Sequence, residues 1–167
     1  LNVDEGIEAA DFPECLKIVE IRAKPERFKN NDVNARRYWW RFLRTRSELY
    51  ASIRPLERVL ACARVSKYLM FAFLPANIVF SDACVVIADS RPEMFAVLQS
   101  GLHESWARAQ SSTMKRDLRY TPTDSFETFP LPPFGSPLAD AGARLERARA
   151  HVLAALGCGL TDAYNAI

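Results

Sequence analysis

The sequence predicts an α+β fold: a small, mostly antiparallel sheet of three to five strands packed against helices, with flanking N-terminal and C-terminal helices. Two observations predict this class. Short apolar runs rich in β-branched and aromatic residues occupy the middle of the chain. Helix-start signals and apolar residues at helical spacing lie on both sides of them. The 167 residues, 49% of them hydrophobic, are enough for one domain with a core.

The first element is predicted to be a helix that begins at Asp-Phe-Pro-Glu (residues 11–14), where a capping residue, an early proline and an acid coincide. Apolar side chains between Cys15 and Ile21 give it one face to bury, and it should end near Pro25. Residues 26–37 are polar and predict a loop or a solvated helix. The aromatic run at residues 38–42 predicts a buried cluster, because so much apolar area must pack against something.

The middle of the chain predicts the sheet. Four apolar runs predict its strands, and short polar or proline-containing turns separate them. The runs are residues 59–63, 68–74, 78–80 and 84–88. Because these connections are too short for crossover helices, the strands should be mostly antiparallel.

A helix is predicted to follow the sheet, beginning at Arg91-Pro92-Glu93. One apolar stripe of this helix should pack on the sheet. The stripe consists of Phe95, Leu98, Leu102 and Trp106. Residues 107–137 are rich in proline and lack periodicity, which predicts an extended segment.

The C-terminal part is predicted to be helical. Ser136-Pro137 marks the start of a long helix and Gly157 its end. Its apolar face should comprise Leu145, Ala148, Val152 and Ala155. Thr161-Asp162 predicts the cap of one further helix. The chain is therefore divided into an N-terminal acidic segment and helix (1–27), an α+β domain (28–130) and a C-terminal helical segment (131–167).

No catalytic, cofactor-binding or metal-binding residue is predicted in this chain. There is no glycine-rich loop for a nucleotide or for S-adenosylmethionine, and His103 and His151 have no nucleophile nearby in sequence. Scattered cysteines predict reduced, partly buried thiols rather than a zinc site. They are Cys15, Cys62, Cys84 and Cys158.

Neither a membrane-spanning helix nor a signal peptide is predicted. No apolar stretch approaches the length of about 18 residues that a membrane helix needs. The N-terminus has neither the basic nor the apolar region of a signal peptide. These features predict a cytoplasmic protein, and the missing initiator methionine indicates a fragment of a longer chain.

The net charge of +2 conceals a strong local asymmetry. Residues 1–21 carry six acidic residues and a single lysine, for a net charge of −5. Residues 22–67 carry thirteen Lys and Arg against four acidic residues, for a net charge of +9. A stretch with so much positive charge repels itself unless water or a polyanion neutralises it.

Three sets of residues are candidate contacts to nucleic acid, because Arg and Lys suit phosphates and Arg suits guanine edges. The first set is Arg36, Arg37, Arg41, Arg44 and Arg46. The second, at a predicted turn between strands, is Arg64, Ser66, Lys67 and Tyr68. The third, in a predicted loop, is Lys115, Arg116, Arg119, Tyr120 and Thr121.

Composition equally allows a blander interpretation of the arginines. They could form a solvated cationic surface in which some pair with Glu20, Glu26 or Glu48. The aromatic residues beside them are interpreted as core rather than as base-stacking platforms. These are Tyr38, Trp39, Trp40 and Trp106.

Several motifs occur in order along residues 12–167. They include Lys24-Pro25-Glu26-Arg27 with Asn30-Asn31, Tyr38-Trp39-Trp40-Arg41-Phe42, Arg64-Val65-Ser66-Lys67, residues 102–107, Arg119-Tyr120-Thr121-Pro122-Thr123, residues 126–130 and residues 159–166. Together they resemble the target recognition domain and C-terminal region of class I (MmeI-like, type IIG/IIL) adenine-specific DNA methyltransferases and restriction–modification enzymes.

The resemblance implies that this region reads a short duplex DNA site for an upstream methyltransferase domain or subunit. That domain would use S-adenosylmethionine to methylate adenine in a bacterial cell. Leu131-Pro132-Pro133-Phe134 looks like the methyltransferase motif in which Asn or Asp precedes two prolines. Leu131 cannot accept the hydrogen bond of the target amine, so this stretch is interpreted as a connector.

Three hypotheses follow. In the favoured one, residues 64–68 and 111–121 reach double-stranded DNA, residues 36–46 neutralise phosphates, and the helix over 138–156 docks on the rest of the enzyme. In the second, the chain is a protein-interaction module that docks on a methyltransferase or nuclease subunit. In the third, it is a self-contained enzyme.

Overall fold

The computed structural model describes residues 9–43, 45–114 and 117–166. Contacts between Cα atoms divide the chain into two compact units, residues 1–50 and 51–167, and each unit is described by itself. Helices and two small antiparallel sheets make the fold α+β, as predicted. The three segments drawn from the sequence stay a prediction.

The first unit is helical in its described part. After a 3₁₀ turn, Ala9–Asp11, come α1 (Pro13–Arg22), α2 (Lys24–Phe28), α3 (Val33–Arg37) and the start of α4 (Ser47–Ile53). The predicted start of α1 is confirmed, with Pro13 at its first position. Its predicted buried face is wrong, because Leu16 and Val19 are only half-buried and Ile18 and Ile21 are exposed. The following five-residue helices offer too little apolar surface to cover it.

The aromatic run at residues 38–42 is also less buried than predicted. Trp39 and Trp40 are half-buried and meet edge to face, with ring centroids 5.6 Å apart. Tyr38 packs edge-on against Trp40 at 5.8 Å, yet Tyr38 and Phe42 stay exposed. Ala35 is the one buried residue among those described up to residue 50.

The second unit contains the predicted antiparallel sheet. Its strands are β1 (Arg58–Ala63), β3 (Ala72–Pro75) and β4 (Cys84–Ile87), in the order β3-β1-β4. Leu60 in the central strand lies opposite Phe73 on one side and Ile87 on the other. The predicted strand at residues 78–80 is wrong, since this stretch forms no ladder.

A second sheet was not predicted. It consists of β2 (Val65–Ser66), β5 (Ser112–Met114) and β6 (Asp117–Arg119), in the order β2-β6-β5. The predicted turn at 64–67 and the predicted extended segment 107–137 are corrected accordingly. Strands of two or three residues are too short to show an alternating pattern in sequence.

The predicted apolar stripe after the sheet is split between two helices, α5 (Pro92–Leu98) and α6 (Gly101–Gln110). Phe95 and Leu98 are buried as predicted, but Leu102 is 73% exposed. The break falls at Ser100, whose backbone is extended (ψ 149°) and whose hydroxyl accepts the His103 N–H at 3.2 Å as the cap of α6. Just before the break, the side-chain amide of Gln99 accepts a hydrogen bond from the Phe71 N–H (2.9 Å) and donates one to the Leu69 carbonyl (3.0 Å).

The C-terminal helices follow a four-residue helix, α7 (Pro122–Ser125). They are α8 (Ser136–Leu156), which ends as predicted at a left-handed Gly157 (φ 59°), and α9 (Leu160–Asn165). The predicted face of α8 holds only at Leu145, because Ala148, Val152 and Ala155 are exposed.

Arg149 explains why the inward face of α8 was misplaced. Its guanidinium donates to the Phe71 carbonyl (2.5 Å) and the Tyr164 hydroxyl (2.7 Å), and it lies 5.2 Å from the centre of the Phe95 ring. A charged residue therefore lies on the inward face of α8, and apolar periodicity in the sequence cannot predict a charged residue there.

One core joins the two sheets to α5 and α6. Leu60 lies in β1 and Phe71 directly before β3. Phe95 lies in α5, Leu118 in β6, and Tyr120 directly after β6. In the described ranges, no helix is both long and apolar enough to cross a lipid bilayer.

Candidate nucleic-acid interface

Three arginines at the end of α3 and shortly after it are exposed, and they lack carboxylate partners among the described residues. Arg36 donates to the carbonyl of Asn30 at 3.2 Å. Arg37 and Arg41 each lie 5.3 Å from the ring of exposed Tyr38. Within residues 9–43, 45–114 and 117–166, no Asp or Glu oxygen lies within 4 Å of these three guanidinium groups. We call Arg36, Arg37 and Arg41 the arginine cluster.

Glutamates in the same unit pair with lysines instead. Glu20 lies 2.7 Å from Lys24, and Glu26 lies 2.8 Å from Lys29. The proposed neutralisation of the arginines by Glu20 and Glu26 therefore does not occur. Positive charge at the arginine cluster is left to solvent or to an external anion.

Two further predicted contacts belong to this region. Arg44 lies outside the described residues. Arg46 is half-buried, has a positive φ of 52°, and its carbonyl accepts the Tyr50 N–H at 3.1 Å. It therefore stands just before α4, where its carbonyl begins the helical hydrogen-bond pattern.

In the second unit, Arg64 ties the two sheets together. Its backbone N–H donates to the Ala83 carbonyl (2.7 Å), and its own carbonyl accepts the Tyr120 N–H (2.8 Å). Its side-chain Nε donates to the Asp82 carbonyl at 2.8 Å. A guanidinium carries five N–H donors, so the side chain retains donors for a ligand.

The rest of the second set lies along β2 and just after it. The Ser66 hydroxyl donates to the Tyr68 carbonyl at 2.6 Å. Lys67 is exposed, with its Nζ 4.6 Å from the Tyr68 ring. Tyr68 is half-buried and packs on Tyr164 at 5.9 Å. Lys67 is thus the side chain of this set that is most open to a ligand.

The third predicted set is divided by burial. Arg119 is exposed at the end of β6, and Thr121 is half-buried at the start of α7. Lys115 and Arg116 lie outside the described residues. Tyr120 is only 1% exposed, so its predicted contact with DNA is corrected to a core position. Side chains alternate along a strand, and the residue next to an outward arginine therefore points inward.

Sequence reasoning missed the partner of Tyr120. Its hydroxyl lies 3.0 Å from Nε2 of His103, which is fully buried in α6. Among the described residues, Nδ1 of this histidine has no hydrogen-bond partner. Burial lowers the pKa of His103 to about 4 and raises the pKa of the Tyr120 hydroxyl above its usual value. The pair is therefore neutral at physiological pH and holds α6 against the end of β6.

The buried histidine predicts a pH-dependent stability. The folded-state pKa of His103 lies below its unfolded value, so the unfolded state binds more protons, and stability falls as the pH drops from about 6.5 towards 4. Between pH 7.5 and 4.5, we expect this residue to account for a loss of about 2 to 3 kcal/mol. Urea unfolding of the wild type and His103→Gln at both pH values measures it.

The histidine variant should lose less stability on acidification than the wild type by that amount. His151→Gln changes an exposed histidine on α8 and should keep the wild-type pH dependence. Equal acid sensitivity of wild type and His103→Gln would contradict the assignment.

Arg108 was also missed. It lies near the end of α6, donates to the Glu104 carboxylate (2.7 Å) and donates to the Lys67 carbonyl (2.9 Å). The four-residue spacing of Glu104 and Arg108 was the available signal for the ion pair. The contact with Lys67 is long-range, and no sequence pattern predicts it. Arg108 fixes the end of β2 and the backbone of Lys67.

The described residues include no cluster of three or more His, Cys, Asp or Glu side chains that could hold a metal ion. All four cysteines are unpaired thiols. Burial raises the pKa of Cys62 to about 12, so it is protonated and unreactive at neutral pH.

Comparison with known proteins identifies what the chain is similar to. Residues 7–133 match the family model described as MmeI, target recognition domain. A segment of 65 residues is 29% identical to DNA methyltransferase A of Bacillus subtilis (strain 168). That segment is 39% of this chain but only 7% of the relative, so the match spans a small part of that protein. No solved structure is significantly similar to the chain.

Proposed function

Because the chain belongs to the MmeI target recognition domain family, we propose that it reads a short sequence of double-stranded DNA for an adenine-specific methyltransferase. The methyltransferase would be a domain or subunit of a bacterial restriction–modification system in the cytoplasm. S-adenosylmethionine would bind there, and these 167 residues would supply recognition but no catalytic group. The observation that carries the proposal is the family match, which covers both candidate surfaces.

The geometry supports this proposal in two places. The arginine cluster is exposed and has no carboxylate partner in the described ranges, as expected of side chains that meet phosphates. In the second unit, Lys67 and Arg119 are exposed on or beside short strands fixed to a common core. Such strands can hold side chains in a defined orientation against DNA.

Selection of bound duplexes from a random pool, with the intact protein, tests the proposal. We expect enrichment of one short motif, and tritium transfer from labelled S-adenosylmethionine to adenines of duplexes that contain it. Scrambled duplexes of equal length are the control. Binding without any sequence preference would refute the proposed function.

One observation favours protein docking as a second candidate function. Val152 and Leu156, on the last turns of α8, are exposed, as expected of a surface that another protein covers. Co-purification with a methyltransferase or nuclease subunit, together with no affinity for duplex DNA at low salt, would favour this candidate over recognition.

A further inference from the structure

The second sheet presents one row of side chains outward. On β6, Leu118 is 2% exposed whereas Arg119 is exposed. Residues directly opposite each other in an antiparallel ladder project from the same face. Arg119 is opposite Val65 on β2 and Ser112 on β5. Val65, Arg119 and Ser112 therefore form a single row across three strands, which we call the outer row.

The sheet behind the outer row is anchored. Leu118 belongs to the main core, and the Tyr120 N–H donates to the Arg64 carbonyl at 2.8 Å. The Thr121 N–H donates to the Ser111 hydroxyl at 3.3 Å. Arg108 holds the Lys67 carbonyl at the end of β2. Side chains of the outer row thus project from a backbone that is fixed on both sides.

The chemistry of the outer row matches base edges. The Arg119 guanidinium has no hydrogen-bond or carboxylate partner in the described part of the chain, so all its donors are available. Arginine can bond both acceptors of guanine in the major groove, and a serine hydroxyl can donate or accept. Val65, which is half-buried, offers an apolar contact of the kind a thymine methyl group takes.

The size of the outer row also fits. Neighbouring strands lie about 4.8 Å apart, so three strands place their side chains across about 10 Å. The major groove of B-form DNA is about 12 Å wide and accepts β-structure, whereas the minor groove is about half as wide. A row of two short side chains and one arginine can therefore meet neighbouring base pairs from the major-groove side.

We propose that the outer row is the base-reading surface, and that the second sheet lies in the major groove with Arg119 on a guanine and Ser112 on a neighbouring base pair. This inference rests on the proposed function and adds the element, the groove and the reading residues to it. It also separates two roles. The outer row would discriminate between sequences, and the arginine cluster would bind phosphates of any sequence.

Selection from a random duplex pool with the intact protein tests the role of Arg119. For Arg119→Gln, discrimination should fall roughly 10- to 100-fold at one guanine position and stay unchanged elsewhere. Arg119→Lys keeps the charge but not the planar fork, and it should also relax that position. Ser112→Ala should relax an adjacent position. The matched control, Arg147→Gln, removes an exposed arginine from α8 and should keep the wild-type motif.

The outcomes separate this inference from the proposed function. Uniformly weaker binding of Arg119→Gln and Arg119→Lys, with the wild-type motif unchanged, would assign Arg119 to a phosphate and overturn the inference alone. Failure of the wild type to select any motif would overturn the proposed function and this inference with it. If Arg119→Gln does not fold, as judged by circular dichroism, Arg119→Lys and Ser112→Ala decide the question.

Discussion

Replacement of Gly142 by alanine should lower the free energy of unfolding by about 3 kcal/mol, the upper end of the usual cost of overpacking, because the added Cβ atom would meet backbone rather than a flexible side chain. A Cβ atom at this position would lie 2.6 Å from the Pro92 carbonyl carbon and closer still to its oxygen. Those atoms belong to the first turn of α5, whose Met94 and Phe95 are buried in the core. Neither helix can move away without disturbing that packing.

Helix propensity works against this loss but is smaller. Alanine is favoured over glycine inside a helix by about 1 kcal/mol, so a net loss requires that the steric clash exceed that gain. Gly101→Ala is the matched control, since a Cβ at Gly101, the first residue of α6, would meet nothing within 4 Å. Thermal unfolding should show a drop of about 5 to 10 °C for Gly142→Ala and none for Gly101→Ala. Equal melting temperatures would refute the close approach of α5 and α8.

The ends of helices were predictable because their signals are local. Pro13 and Pro92 open α1 and α5, and Gly157 closes α8 in the left-handed conformation that glycine tolerates. The first sheet was predictable for a similar reason, because β1, β3 and β4 each carry at least three consecutive apolar residues. Each of these signals lies within a few residues of the feature it predicts.

Faces and long-range contacts were not predictable in the same way. Leu102 continued the apolar stripe in sequence, yet α6 begins anew after Ser100 and buries His103 instead. Arg149 faces inward because three partners from distant segments receive its guanidinium. Such choices depend on which distant segments meet in the fold, and local patterns along the sequence do not reveal those contacts.

The candidate site shows the same division. The charge of residues 22–67 indicated a cationic surface, but only the structure distinguishes the lysines that pair with glutamates from the unpaired arginine cluster. Tyr120 directly follows Arg119 in one of the family-like motifs, yet Arg119 is exposed and Tyr120 is buried. Ser112 lies opposite Arg119 because β5 pairs with β6. Each of these strands has only three residues, which is too few to show a strand pattern in the sequence.

Combined replacement of Arg36, Arg37 and Arg41 by glutamine should weaken duplex binding roughly 100-fold at physiological salt. Each phosphate contact releases counterions, so the slope of log affinity against log salt should become shallower by up to about 0.9 for each arginine lost. Fluorescence anisotropy with the intact protein, over a series of salt concentrations, measures both quantities. The selected motif should stay that of the wild type, because phosphates carry no sequence information.

A control in the same unit separates contact from general attraction. Lys24→Gln combined with Lys29→Gln also removes positive charge, but both lysines already lie within 3 Å of a glutamate oxygen. Their loss leaves Glu20 and Glu26 unpaired, which adds repulsion at a distance without removing a direct phosphate contact. We therefore expect weaker binding with a nearly unchanged salt slope. If the lysine variant flattens the salt slope as much per charge as the arginine variant, binding depends only on the net charge of the unit. That result would contradict direct phosphate contacts by the arginine cluster.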